Sequence, residues 1–157
     1  DWSSDVCSSD LARRELIADG VLTGWLLDSA SARQLGLQPT GNAQRGIGGP
    51  PGAGTTNFYM EAGALSPAEL MKDVKRGLYV TELIGQGVNP VTGDYSRGAA
   101  GFLIEDGVIG APVAEITIAG NLKEMLKGIV AVGNDTLVRG SRQCGSILLD
   151  RMTIAGN

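Results

Sequence analysis

The chain has 157 residues, with 24 glycines and a composition that is 43% apolar, 19% charged and only 4% aromatic. That apolar share can bury a core and the length fits one domain, which excludes a collagen, a coiled coil or a disordered tail. The net charge of −4 leaves no basic excess for a nucleic-acid footprint, and no segment approaches the ~20 apolar residues of a bilayer crossing, so the chain reads as soluble and cytoplasmic.

The first eleven residues, D-W-S-S-D-V-C-S-S-D-L, are unlike everything after them. They back-translate into a common short-read sequencing adapter, whose last two bases fix Leu11 whatever base follows. Residues 1–11 are therefore read as adapter and residues 12–157 as native. Without Asp1, Asp5 and Asp10 the acidic count falls from 17 to 14 against 13 basic groups, so the net charge becomes −1. Cys7 and Trp2 leave too. Cys144 is then the only cysteine and Trp25 the only tryptophan, and no internal disulfide can form. The same reading expects the natural protein to continue upstream.

Residues 16–27, L-I-A-D-G-V-L-T-G-W-L-L, predict a hairpin, because Asp19-Gly20 accepts the positive φ of a tight turn. A short helix is expected from Ser29 to Leu35, stopping at Gly36. Residues 44–55, Q-R-G-I-G-G-P-P-G-A-G-T, cannot pack a core and read as a flexible loop, either a flap near a ligand or partner or a plain surface connector. Their glycine spacing matches no phosphate-binding fingerprint. Strands are expected at residues 55–60 and 78–84.

Between them, Ser66-Pro67-Ala68-Glu69 combines a hydroxyl cap, a proline at the first helical position and a Glu three residues after the cap. Leu70, Met71 and Val74 continue it as an apolar stripe. A second Asp-Gly turn, Asp106-Gly107, predicts a hairpin over residues 102–113, with Pro112 at an edge or strand end because it lacks an N–H. Asn121 caps a further helix with Leu122, Met125, Leu126 and Ile129 on one face. Strands at residues 145–149 and 152–155 close the chain. The expected class is α+β, mainly β, with antiparallel hairpins, a mixed sheet and two or three short helices.

The chemistry is bounded by what is missing. With no His, the chain offers no Ser-His or Cys-His pair and no H-E-x-x-H helix. No phosphate-binding or nucleophile-elbow motif occurs. A hydrolase using Cys144 as nucleophile would lack a base to activate the thiol.

Residues 81–98, T-E-L-I-G-Q-G-V-N-P-V-T-G-D-Y-S-R-G, are the richest in functional groups. Glycines let the backbone approach an extended peptide, Arg97 offers a carboxylate partner and Asn89 an amide partner. Gln86, Asn89, Asp94, Tyr95 and Arg97 are accordingly the candidate substrate or partner contacts. A second reading is a turn cluster satisfied internally, with Asp94 paired to Arg97 and Asn89 capping the bend. Both stay open.

The run T-E-L-I-G-Q-G-V-N-P-V-T-G-D-Y-S-R-G-A-A-G-F, followed by E-I-T-I-A-G-N-L, I-V-A-V-G-N-D and Q-C-G-S-I-L-L, resembles the C-terminal part of the TldD/PmbA family, within it the PmbA branch, also called TldE. With D-G-V-L and S-A-R-Q-L-G upstream, the resemblance covers essentially all of residues 12–157. It implies a C-terminal domain of a subunit in a cytosolic heteromeric metallopeptidase that cleaves unstructured peptides. The family's roles include microcin maturation, antitoxin degradation and modulation of gyrase inhibitors.

In the TldD branch, zinc sits on an H-E-x-x-x-H helix together with a cysteine near the C-terminus. The resemblance therefore implies a TldD-type partner subunit that carries the zinc, and no cofactor in this chain. No catalytic residue is assigned here, and Cys144 counts as a metal ligand only if histidines lie upstream. Otherwise it is a buried structural cysteine. The implied role is to shape the cavity or the subunit contacts, with a non-enzymatic scaffold or peptide-binding domain as the alternative.

Overall fold

The computed structural model describes residues 13–156; the eleven residues read as adapter lie outside them. The chain divides into two units, one ending at Phe58 and one beginning at Tyr59.

In the first unit, β1 (Ile17–Ala18) and β2 (Val21–Leu22) form the expected hairpin. Asp19 and Gly20 take φ of 50° and 77° at its turn. The helix α1 (Ser29–Leu35) begins where Asp28 accepts a hydrogen bond from Ser31 N–H at 2.7 Å and ends on left-handed Gly36. Hydrogen bonding from the Ser31 side chain, and then from its backbone N–H, holds the Asp28 carboxyl below the ordinary carboxylate value. Thr40 closes the segment, its hydroxyl accepting from Leu27 N–H at 2.8 Å. Residues 44–55 hold more structure than their composition implies. β3 (Ala43–Gln44) and β4 (Gly52–Ala53) pair antiparallel, and Gln44 reaches forward to the Thr55 carbonyl at 2.6 Å. Gly46, Gly48, Gly49, Pro50 and Pro51 make up most of the connecting loop, where Ile47 is fully exposed, while Gly52 belongs to β4 itself.

Strand β5 (Phe58–Tyr59) straddles the boundary and is shorter than the expected 55–60. The second unit opens with α2 (Pro67–Met71), whose capping box forms as the sequence requires. Ser66 N–H donates to Glu69 at 2.7 Å, and Glu69 N–H donates to the Ser66 hydroxyl at 3.3 Å. Val74 falls beyond the helix end.

The main sheet contains β6 (Arg76–Ile84), β7 (Asp94–Glu105), β8 (Val108–Asn121) and β13 (Thr153–Ala155), in the order β13-β8-β7-β6. The second Asp-Gly turn joins β7 to β8. Helix α3 (Leu122–Lys127) stops one residue before β9 (Ile129–Val132), so Ile129 belongs to a strand and not to the helical stripe. β10 (Leu137–Arg139) and β11 (Arg142–Cys144) form a hairpin, and β12 (Ile147–Leu149) pairs with β9. These pairs are antiparallel, and a parallel bridge links Leu65 to Gly133. The fold is α+β and mainly β, as expected.

Pro112 lies inside β8, opposite Phe102, and not at a strand end. It is tolerated because β13 covers β8 only over residues 117–119, so the outer side of β8 is locally an edge at Pro112. Ladder irregularities on both sides of it, and Glu115 at φ 57°, bend the strand there. The core of this unit is small: Ala99, Ile116 and Ile118 are buried, with Leu78, Val80, Tyr95, Val113 and Met152 packed on them. Beside it an apolar groove of about 920 Å³ runs past Leu78, Tyr95, Ile118, Met125 and Leu149.

Candidate functional site

The functional-group-rich segment splits at Asp94, where β7 begins. Residues 85–93 form the loop, while Asp94, Tyr95 and Arg97 are strand residues with alternating directions. Strand alternation explains why the five candidates do not converge on one point.

One cluster gathers around Asn89. Its side-chain oxygen accepts from Val91 N–H at 2.9 Å and Thr92 N–H at 3.3 Å, the bend-capping role weighed from the sequence. Asp94 accepts from the Thr92 hydroxyl at 2.7 Å and from the Asn121 amide at 3.4 Å. Asn121 also donates to the Thr92 carbonyl at 3.1 Å and caps α3 by accepting from Lys123 N–H at 3.1 Å. One amide thus ties loop, strand and helix together. Two backbone bonds complete the tether: Ser96 N–H to Gly87 at 2.7 Å and Leu122 N–H to Gly93 at 2.7 Å. The loop is built rigid. In the sequence Asn121 reads only as a cap, since its position directly before a helix gives no sign of the loop it also holds.

Tyr95 and Arg97 share the other face. Tyr95 packs on the core cluster and lines the groove. Arg97 stands opposite buried Ile118 in the ladder, and its Nη2 donates to the Leu83 carbonyl at 3.3 Å, not to Asp94. Its Nε is buried and has no hydrogen-bond partner among the described residues. A buried cationic N–H without an acceptor is costly and leaves a donor in reserve. Gln86 is exposed at the loop's start.

Cys144 closes β11, separated from this cluster in sequence. Its thiol donates to the Gly145 carbonyl at 3.1 Å and lies 3.9 Å from the Met60 sulfur. Burial, reinforced by the Asp135 carboxylate, pushes the thiol up from its ordinary value. Asp135 itself is held low because it accepts from the Ser146 hydroxyl at 2.6 Å and from Ser146 N–H at 2.9 Å. A metal-bound cysteine must be a thiolate with further ligands nearby, yet among the described residues no three His, Cys, Asp or Glu side chains converge. These residues do not fit a zinc centre built by this chain alone. Iodoacetamide is expected to alkylate Cys144 more slowly than a free cysteine at neutral pH, its rate rising only at higher pH. Alkylation as fast as in unfolded chain would contradict the shielded thiol.

No helix among the described residues is long and apolar enough to cross a membrane. Residues 9–156 match the family model of the PmbA/TldA metallopeptidase C-terminal domain. The chain is 54% identical over 144 residues to the metalloprotease PmbA of Escherichia coli O157:H7, covering 92% of this chain and 30% of that protein. It is 46% identical over 147 residues to the metalloprotease PmbA homolog of Haemophilus influenzae, with the same 92% and 30% coverage. The crystal structure of TldE from Thermococcus kodakarensis superposes with a TM-score of 0.79 at 30% identity, over 90% of this chain and 33% of that one. The chain spans about a third of the length of these relatives.

Proposed function

Since the chain belongs to the PmbA/TldA metallopeptidase C-terminal domain family, as a domain of the PmbA/TldE type, we propose that it serves a cytoplasmic two-subunit peptidase as the non-catalytic partner. In this reading a TldD-type subunit holds the zinc and cleaves unfolded peptides, and the present domain shapes the cavity and the subunit contacts. Microcin maturation, antitoxin degradation and modulation of gyrase inhibitors are the processes such a complex would serve.

The observation that carries this reading is Arg97 beside the free edge of the main sheet. Among the described residues β6 is paired only to β7, so one side of Arg76–Ile84 offers unpaired backbone groups to an extended chain. Arg97, held by the Leu83 carbonyl of that strand, keeps Nε in reserve. The rigid 85–93 loop fixes the end of both strands.

The test is Arg97→Ala in the full-length protein assembled with its TldD-type partner. Peptide cleavage is expected to fall about tenfold, the worth of one charge-assisted hydrogen bond, with assembly intact. Undiminished cleavage would sink the cavity role and leave the non-enzymatic scaffold as the reading.

A further inference from the structure

We propose that Asp19-Gly20 is a site of spontaneous backbone isomerisation, and that the equivalent Asp106-Gly107 turn is shielded from it. In this reaction the amide nitrogen of the glycine attacks the side-chain carboxyl carbon of the preceding aspartate. One water leaves, made from a carboxyl oxygen, the amide proton and a further proton, and a five-membered succinimide forms. Water then re-adds at either carbonyl, so the chain runs through the aspartate main chain again or through its side chain, giving isoaspartate. No oxidant or cofactor is needed, only an accessible glycine nitrogen and a backbone free to turn.

The two turns form a matched pair. Asp19 and Gly20 have φ of 50° and 77°; Asp106 and Gly107 have 48° and 80°. Turn conformation and residue chemistry are therefore the same, and only the surroundings differ. Gly107 N–H donates to the Val74 carbonyl at 2.9 Å, and Asp106 N–H donates to the Lys75 carbonyl at 3.0 Å. The Lys72 backbone closes over Gly107, with its carbonyl oxygen 2.6 Å from where a Cβ would lie. The exposed Lys75–Asp106 ion pair at 3.3 Å adds little. The turn also joins strands of 12 and 14 residues.

Gly20 has none of this. Its N–H donates to no acceptor among the described residues, nothing lies within 4 Å of its Cβ position, and its strands are two residues long. The first turn opens locally at far lower cost than the second.

The experiment is to incubate the full chain at 37 °C in neutral buffer and, in parallel, in concentrated guanidinium chloride. IsoAsp is then mapped at both positions by peptide mass spectrometry with electron-transfer fragmentation. In buffer, isoAsp at residue 19 is expected to accumulate at least about fivefold faster than at residue 106, the ratio carried by one net hydrogen bond. In denaturant the two rates are expected to converge. Equal rates in buffer, a faster rate at residue 106, or the same rate at residue 106 with and without denaturant would each overturn the proposal.

Discussion

Ile118→Ala is expected to lower the stability of the chain by about 3 kcal/mol, within the 2–5 kcal/mol range for truncating a buried aliphatic side chain. Ile118 is only 5% exposed and is one of three buried residues in the core cluster of the main sheet. It touches both the cluster and the groove wall, so little neighbouring mass can collapse into the space it leaves. A domain's whole stability is about 5–15 kcal/mol, so the loss removes a large fraction of it. Ile154 is the internal control. It faces Ile118 across the β8–β13 ladder but is 52% exposed on the edge strand, so Ile154→Ala is expected to cost under about 1 kcal/mol. Urea titrations of both variants read the difference as a shift in midpoint. Equal midpoints would mean that the cluster around Ala99, Ile116 and Ile118 is not where the fold is held.

Local chemistry was legible in the sequence because its signals are self-contained. Asp-Gly at 19–20 and 106–107, the Ser66–Glu69 capping box and left-handed Gly36 each act through neighbours within a few residues. What the sequence hid depends on distant partners. The glycine-rich 44–55 segment reads as a loop because nothing in it announces that Ala43 and Gln44 will pair with Gly52 and Ala53. Pro112 reads as an edge or strand-end residue, and a distant partner decides between the two: the shortness of β13 leaves the interior of β8 locally an edge. In the candidate site, residue types and the Asn89 bend were readable, but their grouping was not. Because β7 already begins at Asp94, Asp94 and Arg97 lie on opposite faces, and the pair between them that one of the two readings offered does not form. The family resemblance identified the domain, yet it could not say that Asn121 would bind the loop, the strand and the helix at once.

Two glycines two residues apart test how the 85–93 loop is held. Gly85 has φ of +81° with nothing near its Cβ position, so Gly85→Ala meets only backbone strain, about 1–2 kcal/mol. Gly87 is different in kind. Its φ is ordinary, but an added Cβ would be driven into the backbone carbonyl of Ser96, the residue whose N–H donates back to the Gly87 carbonyl. A carbonyl in a ladder cannot rotate aside as a flexible side chain would. Gly87→Ala must therefore push the loop off β7, losing the Ser96 bond and the Val88–Tyr95 bridge, at an expected cost of about 3 kcal/mol from overpacking plus the lost bond. Hydrogen exchange at the Ser96 and Asn89 amides is expected to accelerate strongly in Gly87→Ala and little in Gly85→Ala. In the assembled full-length protein, peptide cleavage should fall with Gly87→Ala if the loop fixes Arg97 and the β6 edge. Accelerated exchange with unchanged cleavage would separate the two claims: the tether would stand, and the loop would have no part in handling peptide. Greater damage from Gly85→Ala than from Gly87→Ala would show instead that left-handed conformation, and not close packing on Ser96, is what this loop requires of its glycines.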